Sequence, residues 1–395
     1  MSSRSHLTTR AARAGAHSPP GEALPLVPAL HQATVHGYPD LASLHRVLDG
    51  EQHGHAYYRF GHYNGQVLEQ AVADLEGADG AVASASGMAA ISSTVLALAE
   101  AGDHVVADRN AYGGTRSLLG VDLPRLGITT TLVDAADLAE VGRAVTPRTR
   151  LVLVEALTNP TVRVPDLPAL AELAHNSGAR LVVDATFVTP ALLRPLEHGA
   201  DLVWHSVPKY LGGHSAAMGG VVAGDAGLVD RIRQSVVHLG ATLGPFDAWM
   251  ALLGLKTLGL RMRAHSRGAT EVAGFLALHP AVTRVHHPSR PDHPQAGTAA
   301  RLYPDGTGGM LSFELAGGRR AVDDLIARLG HAIPLSPSLA DVATTLVHPA
   351  TTTHRSLPVD ELEALGVTGG LIRLSVGIEE PSDLIGELTT ALAGN

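Results

Sequence analysis

Residues 180–214, RLVVDATFVTPALLRPLEHGADLVWHSVPKYLGGH, contain two short apolar runs that each end in polar residues. The first run is Arg180–Asp184, and the second is residues 201–206, which lead directly to Lys209. Both runs are continuously apolar instead of alternating, which is typical of strands buried on both faces of a parallel sheet. Ligands of such sheets bind beyond the carboxyl ends of the strands, so we expect Asp184 and Lys209 near one site.

The same pattern extends over residues 65–225, where short apolar runs alternate with amphipathic stretches. Residues 66–76 place their apolar side chains on one helical face, and Asp166 begins a second helical stretch that Gly178 would stop. Strands separated by helices predict an α/β fold with a mainly parallel central sheet and right-handed crossovers. The other predicted strands are 104–108, 128–133, 151–155 and 219–224.

The chain divides into three predicted segments, 1–60, 61–250 and 251–395. The first has little periodicity apart from a short helix near Leu41–Leu48, and we expect an arm that contacts a neighbouring subunit; a mobile tail is the alternative. The second segment contains the predicted central sheet. The third is predicted to be a smaller α/β domain. Its predicted strands are Met310–Leu315 and 370–376, and a terminal helix is predicted to begin at Ser382.

The composition excludes several classes of function. The 395 residues include no cysteine, which rules out disulfides, thiolate catalysis, iron–sulfur clusters and cysteine-ligated zinc. The net charge is −9 and the chain has no basic stripe, so no nucleic-acid partner is expected. The 22 histidines lack the spacing of metal ligands, and the longest uncharged run, 80–99, is typical of a strand-to-helix turn and not of a membrane span. We expect a cytoplasmic protein without a metal site or a membrane segment.

Lys209 and Asp184 carry the first hypothesis about chemistry. Lys209 and Lys256 are the two lysines of the chain, and Lys209 follows a buried strand and precedes a glycine pair. Partial desolvation would make its amine nucleophilic, as in a lysine that forms a Schiff base; a surface-loop lysine is the alternative. Asp184 would hold the protonated ring nitrogen of a pyridine cofactor, although a turn or helix-cap aspartate produces the same local pattern.

Two further segments suit a phosphate group. Ser86-Gly87-Met88 precedes an apolar helix, and free N–H groups at a helix N-terminus bind anions; a tight structural turn is the alternative. Tyr57 and Arg59 lie near the end of the arm. Arginine binds phosphate through two parallel hydrogen bonds, but the same residues also suit an ordinary subunit interface.

Tyr112 and Arg373 suit a flat ring and a carboxylate. Tyr112 precedes Gly113-Gly114, so its ring would stack on a planar cofactor or act as an acid or base; a packed aromatic beside a glycine turn is the alternative. Arg373 lies inside an apolar strand, where an unpaired charge is costly. A substrate carboxylate or an internal acid would pair with it, and we favour the substrate.

Taken in order, these motifs resemble the pyridoxal-phosphate enzymes of cysteine and methionine metabolism. That family includes cystathionine γ-synthase, cystathionine γ-lyase, methionine γ-lyase and the homoserine-ester sulfhydrylases. The resemblance implies the aspartate aminotransferase-like fold (fold type I) and a homo-oligomer, with a dimer as the smallest competent unit and a tetramer as the usual one. The matching segments are 57–59, 75–77, 86–90, 112–115, 158–161, 183–187, 205–206 with 209–210, 254–258 and 373–377.

The resemblance implies pyridoxal 5'-phosphate as the cofactor and assigns residues to it. Lys209 would form the internal aldimine, Asp184 would bind the ring nitrogen, and Tyr112 would stack on the ring and transfer protons. Ser338 and Arg373 would hold the α-carboxylate of the substrate. Gly87, Met88 and Ser206 would bind the phosphate, and Asn159 would contact the ring oxygen. Tyr57 and Arg59 would reach the phosphate in the site of the neighbouring subunit.

The implied reaction is γ-elimination from a γ-substituted L-amino acid through a vinylglycine-type intermediate. Lys209 would remove the α-proton and then move a proton from the β-carbon, and Tyr112 would protonate the leaving group. The alternative is a γ-replacement synthase, similar to cystathionine γ-synthase or an O-acylhomoserine sulfhydrylase; residues 349–354 resemble the sulfhydrylases. A catalytically silent relative that only binds a ligand or partner is the third possibility.

Three departures from the family pattern bear on the substrate. His62-Tyr63-Asn64 stands where the family continues towards Asn-Pro-Thr, which would change the loop near the cofactor. Pro208 replaces a threonine whose hydroxyl bonds the phosphate, so one phosphate contact would be lost. Pro337 stands where cystathionine-specific enzymes often have a glutamate, which argues against recognition of the distal amino group of cystathionine. We therefore favour a specialised substrate over neutral drift in an ordinary γ-lyase.

Overall fold

The computed structural model describes residues 6–15, 25–355 and 357–393. Parts of the predicted arm, residues 1–5 and 16–24, lie outside the described residues. The larger sheet has seven strands in the order β1-β7-β6-β5-β4-β2-β3. These strands are β1 (Gly80–Ser84), β2 (His104–Asp108), β3 (Thr129–Val133), β4 (Thr149–Glu155), β5 (Arg180–Asp184), β6 (Leu202–Ser206) and β7 (Gly220–Gly224).

The larger sheet is mainly parallel, as the apolar runs predict. Strands β3, β2, β4, β5 and β6 pair in parallel, whereas β7 runs antiparallel to both β6 and β1. Successive residues of one strand enter different cores: Val183 packs in the core on one face and Val182 in the core on the other. Burial on both faces explains why these runs are continuously apolar, since each buried aliphatic side chain contributes roughly 1.5–3 kcal/mol.

A smaller sheet of four antiparallel strands, in the order β10-β11-β9-β8, lies in the C-terminal part of the chain. The two strands predicted there are confirmed. The other two were not predicted, because one is largely exposed and the other spans three residues. The strands are β8 (Val282–His286), β9 (Met310–Leu315), β10 (Thr345–Val347) and β11 (Leu371–Ser375). The segment bounds at 60 and 250 stay predictions.

Helices cover both faces of the larger sheet and pack on the smaller one. In the first half of the chain they are α1 (Leu7–Ala12), α2 (Leu41–Leu48), α3 (Tyr63–Glu76), α4 (Gly87–Leu98), α5 (Gly113–Ser117), α6 (Leu123–Arg125), α7 (Leu138–Ala144), α8 (Leu167–Asn176) and α9 (Thr189–Leu192). In the second half they are α10 (Ala226–Leu239), α11 (Pro245–Leu255), α12 (Leu258–Leu278), α13 (Ala296–Leu302), α14 (Gly318–Leu329), α15 (Val359–Ala364) and α16 (Pro381–Leu392). No helix in the described ranges is long and apolar enough to cross a membrane.

A side-chain cap explains where one of two predicted helices begins. Helix α3 starts three residues earlier than its apolar pattern indicates, because the His62 side chain accepts a hydrogen bond from the Gly65 N–H and caps it. Helix α8 begins after Asp166 as predicted, but the Asp166 carboxylate forms an ion pair with Arg301 at 2.6 Å instead of capping the helix. Gly178 follows α8 with a φ of 80°, a conformation that favours glycine.

Candidate active site

A cavity of about 220 Å³ opens beyond the carboxyl ends of β4, β5 and β6. Most of the predicted site residues line it, together with both substituted prolines, Pro208 and Pro337. A larger cavity of about 560 Å³ lies along α3 and contains none of the predicted site residues. The predicted site residues that line the smaller cavity are Gly87, Met88, Tyr112, Asn159, Asp184, Ser206, Lys209 and Arg373.

Lys209 lies in a tight turn, 207–211, directly after β6. Its backbone leaves the helical region there (φ −94°, ψ −142°), which lets the side chain leave the turn. The amine donates a hydrogen bond to the Ser338 hydroxyl at 2.7 Å. Burial, together with the positive charge of Arg373, lowers the pKa of Lys209 to about 8. A large fraction of the amine is therefore neutral, and nucleophilic, at mildly alkaline pH.

Arg373 is fully buried in the middle of β11. Its guanidinium donates to the Asn159 side-chain oxygen at 2.9 Å and to the Ser338 backbone oxygen at 3.1 Å. Burial lowers the pKa of Arg373 to about 10, so the group stays charged at neutral pH. Its Nε has no partner in the described part of the chain, which leaves a buried donor that a carboxylate would satisfy.

Two carboxyl groups lie side by side at the ends of β4 and β5, because Glu155 is in register with Asp184. Asp184 accepts the Thr186 N–H at 2.8 Å. Burial raises the pKa of both carboxyl groups, and that of Glu155 is raised further by the neighbouring charge of Asp184. A cation placed between them would offset this repulsion, and a protonated pyridine nitrogen is such a cation.

The N-terminus of α4 forms a concave surface beside β6. The Ser86 hydroxyl caps the helix by accepting the Ala89 N–H at 3.0 Å. The N–H groups of Gly87 and Met88 at the first turn have no intrahelical acceptor, which is the usual arrangement at an anion site. A Cβ on Gly87 would lie 2.9 Å from the Ser206 Oγ, so glycine is needed for this close approach. A phosphate fits this donor set.

Tyr112 precedes α5, and its ring is 49% exposed at the cavity. Its backbone N–H donates to a Glu155 oxygen at 2.7 Å. The ring also depends on Gly114, because a Cβ there would lie 2.6 Å from the Tyr112 ring and 2.8 Å from the Met88 sulfur. The hydrogen bond therefore fixes the backbone of Tyr112, and the missing side chain of Gly114 leaves room for its ring.

Tyr57 and Arg59 do not line this cavity. The Arg59 guanidinium lies 4.8 Å from the centre of the Phe60 ring and 5.7 Å from that of Tyr57, and it donates to the Val237 carbonyl at 3.3 Å. Both side chains are exposed. They are thus separate from the cavity of their own chain, as expected for residues that would serve a neighbouring subunit.

Glu155 and Thr186 line the cavity and make polar contacts there, but they were not among the predicted site residues. Glu155 ends an apolar run as Asp184 does, so the sequence carried a signal for it. Thr186 accepts the Ser206 N–H at 3.0 Å and links β6 to the loop after β5. Thr186 lies within the matching segment 183–187, but no local pattern indicated its contact with Ser206, because the two residues are 20 positions apart in the chain.

The donors and acceptors around the cavity fit pyridoxal phosphate. They combine a nucleophilic amine, a buried carboxylate for the ring nitrogen, free N–H groups for the phosphate and a buried arginine for a carboxylate. None of these features alone is specific to one cofactor, but together they match the group that the sequence motifs imply.

Comparisons with known proteins agree with this fit. Residues 8–393 match the family described as Cys/Met metabolism PLP-dependent enzyme. An L-methionine gamma-lyase of Fusobacterium nucleatum subsp. polymorphum is 43% identical over 345 residues, covering 87% of each chain. A cystathionine gamma-synthase of Mycobacterium bovis is 44% identical over 346 residues, covering 87% of this chain and 88% of that protein.

A solved structure agrees as well. The crystal structure of cystathionine gamma synthase from Xanthomonas oryzae pv. oryzae, in complex with aminoacrylate and cysteine, superposes with a TM-score of 0.93. The two proteins are 35% identical, and the match covers 98% of each chain. Since the family match spans nearly the whole chain and the relatives exceed 40% identity, this protein is a pyridoxal-phosphate-dependent enzyme of the cysteine and methionine metabolism family.

Proposed function

We propose that this enzyme catalyses γ-elimination from a γ-substituted L-amino acid. The observation that carries this proposal is that Ser338 joins Lys209 and Arg373 by hydrogen bonds, while Lys209, Arg373 and Asp184 line the same cavity. The reaction needs an amine that takes up protons, an arginine that binds a carboxylate and an acid that binds a ring nitrogen.

Bound pyridoxal phosphate supplies an electron sink for the bond broken at the substrate's α-carbon. Lys209 Nζ takes the α-proton and then moves a proton from the β-carbon. Its depressed pKa, about 8, suits both tasks because a base with a pKa near the working pH gives and accepts protons readily. Ser338 orients this amine through its hydroxyl.

Arg373 binds the α-carboxylate of the substrate through its unpaired Nε, while its other nitrogens stay bonded to Asn159 and Ser338. Tyr112 lines the cavity, and its hydroxyl protonates the leaving group. Asp184 holds the ring nitrogen, Asn159 the ring oxygen, and Gly87, Met88 and Ser206 the phosphate.

The active unit is a homo-oligomer of at least two subunits, in which Tyr57 and Arg59 reach the phosphate in a neighbouring subunit. Two observations support this proposal. Both side chains are exposed and lie outside the cavity of their own chain. Several large apolar side chains of the arm are exposed too, which is typical of an interface: Leu26, Leu30, Val35, Leu41 and Phe60.

The cavity wall favours elimination over replacement by a second amino acid. Its charged residues in the described chain are Lys209, Arg373, Asp184 and Glu155, and the others are uncharged, among them Met218, Phe187, Pro337 and Leu339. A synthase that joins two amino acids must also bind the charged groups of the second one, and the wall offers no further charged group for them. An uncharged γ-substituent suits this wall better.

Replacement by a small uncharged nucleophile is the second candidate. Thr353, within the segment 349–354 that resembles sulfhydrylases, lines the cavity. The relatives reported above also include both a lyase and a synthase. A catalytically silent protein is the third possibility, and it predicts no visible absorption from a cofactor bound to Lys209.

A product assay tests these alternatives. The protein is incubated with pyridoxal phosphate and an O-acylated homoserine, with and without a small thiol, and the products are identified by mass spectrometry. We expect a 2-oxo acid whose yield does not depend on the thiol. A thioether amino acid formed only with the thiol would overturn elimination in favour of replacement. Neither product, with no visible absorption of the protein, would support the silent alternative.

A further inference from the structure

Glu155 is a buried acid in the active site to which the proposed reaction gives no role. It ends β4 directly beside Asp184, lines the cavity and is 7% exposed. A buried carboxyl group is costly unless each oxygen finds a donor. Glu155 finds both of its donors on the protein backbone.

The two oxygens of Glu155 bind two different loops. One accepts the Tyr112 N–H at 2.7 Å, and the other accepts the Asn159 N–H at 3.1 Å. Tyr112 ends the loop between β2 and α5, and Asn159 lies in the loop after β4. A single carboxylate therefore sets the distance between the residue proposed to stack on the ring and the residue proposed to bind the ring oxygen.

The same bonds continue towards the substrate side of the cavity. The Asn159 side chain accepts from Arg373 at 2.9 Å, and Arg373 donates to the Ser338 backbone oxygen at 3.1 Å. The Ser338 hydroxyl accepts from Lys209 at 2.7 Å. Tyr112 and Lys209, which both line the cavity, are thus connected through Glu155 by an unbroken series of contacts.

We propose that Glu155 is a positioning residue, which holds Tyr112 and Asn159 at their working distance from the cofactor ring. This inference rests on the roles proposed above for those two residues. A displacement of about 1 Å of a catalytic group lowers rates by up to about 100-fold, so the placement of these two loops matters for turnover.

The charge of Asp184 links this positioning to the cofactor. Burial and the negative charge of Asp184 raise the pKa of Glu155 well above its ordinary range, which disfavours two ionised carboxylates side by side. A cation held by Asp184 reverses that effect and favours the ionised form of Glu155. Only the ionised carboxylate offers two oxygens that act solely as acceptors. Cofactor binding therefore strengthens the hydrogen bonds that Glu155 accepts from the N–H groups of Tyr112 and Asn159.

The variant Glu155→Gln tests the proposal. Glutamine has nearly the same shape, but it presents an NH₂ group to one of the two backbone N–H donors, so one loop must move. We expect the variant to fold and to bind the cofactor, with a changed visible circular dichroism band of the bound cofactor. We also expect kcat to fall by roughly 10- to 100-fold, with a smaller change in KM.

Glu69→Gln is the matched control, because Glu69 is also a poorly exposed acid that accepts a backbone N–H, from Ala83 at 2.8 Å. Glu69 does not line the cavity, so the circular dichroism band of the bound cofactor and the kcat of the Glu69→Gln variant should stay as in the wild type. A Glu155→Gln protein with an unchanged band and a kcat within twofold of the wild type would overturn the proposal.

Glu155→Asp is a second variant, which keeps the charge but is too short to reach both loops. It should change the band as Glu155→Gln does. If neither variant folds, Glu155 serves the stability of the sheet and the positioning role is wrong. The circular dichroism readout needs no substrate, so it stands apart from the product assay: a replacement reaction would overturn elimination and leave this test unaffected.

Discussion

The amine of Lys209 and the hydroxyl of Ser338 lie 2.7 Å apart, although 129 positions separate them in the chain. Lys209 lies just after strand β6 of the larger sheet, and Ser338 precedes strand β10 of the smaller one. The Ser338 backbone oxygen also accepts a hydrogen bond from Arg373, so one residue contacts both the proposed base and the proposed carboxylate binder. This contact joins a segment beside the larger sheet to one beside the smaller sheet.

Replacing Lys209 by alanine should abolish turnover without loss of the fold. The loss of a general base lowers rates by roughly 100- to 10,000-fold, and here the attachment point of the cofactor is lost too. Steady-state turnover and the melting temperature are the measurements. Lys256→Ala is the matched control, since that half-buried lysine donates to the Leu26 carbonyl, at 2.8 Å, and does not line the cavity. Retained turnover in Lys209→Ala would contradict the assignment.

Arg59→Ala should weaken cofactor retention. A hydrogen bond to a charged group contributes about 1.5–3 kcal/mol, so we expect the cofactor Kd to rise by roughly tenfold or more. The Kd is measured by fluorescence titration of the apoprotein. Arg46→Ala, which changes another exposed arginine of the arm bonded to Ser43 and Gln52, should leave the Kd unchanged. An unchanged Kd in Arg59→Ala would remove Arg59 from the site.

Mixing two inactive variants should restore activity if Arg59 serves the neighbouring subunit. A dimer of one Arg59→Ala chain and one Lys209→Ala chain contains one site with both wild-type residues. We expect the mixture, after subunit exchange, to exceed the activity of either variant assayed at low cofactor concentration. No gain in a mixture shown by mass spectrometry to contain mixed dimers would indicate that Arg59 acts within its own subunit.

Pro208→Thr should tighten cofactor binding. Pro208 lines the cavity next to Lys209 and offers neither a hydroxyl nor an N–H. Threonine adds a donor for the phosphate, so the cofactor Kd should fall by roughly five- to tenfold, which corresponds to about 1 kcal/mol for one hydrogen bond. Pro208→Ala separates this effect from the loss of the ring. Equal Kd values for the threonine and alanine variants would show that the hydroxyl makes no contact.

Capture of the cofactor by the apoprotein should depend on pH with a midpoint near 8. Only the neutral amine attacks the aldehyde of the cofactor, and burial lowers the pKa of Lys209 to about 8. The rate should therefore rise about tenfold per pH unit below the midpoint and level off above it. Absorbance after rapid mixing follows the reaction, with Nα-acetyl-lysine as the control. A rate that keeps rising to pH 10, as for the control, would contradict the depressed pKa.

Much of the larger sheet could be predicted because burial on both faces leaves continuous apolar runs. The runs at β5 and β6 predicted both the strands and the location of Asp184 and Lys209 at their carboxyl ends. The direction of β7 could not be predicted, since an apolar run is the same whichever way the strand runs. Strand β8 was missed because its exposed residues weaken the pattern.

Local patterns in the sequence were sufficient for most strands of the larger sheet and for the family, because each depends on residues close together in the chain. The pairing of Glu155 with Asp184, the reach of Arg373 to Asn159 and the contact of Lys209 with Ser338 depend on tertiary structure. Arg373 and Asn159 are separated by 214 positions, and no local signal specifies such a contact. The packing of the two sheets brings Arg373 to Asn159 and Lys209 to Ser338, and the pairing of β4 with β5 places Glu155 beside Asp184. The lowered pKa of Lys209 and the proposed role of Glu155 depend on this tertiary structure.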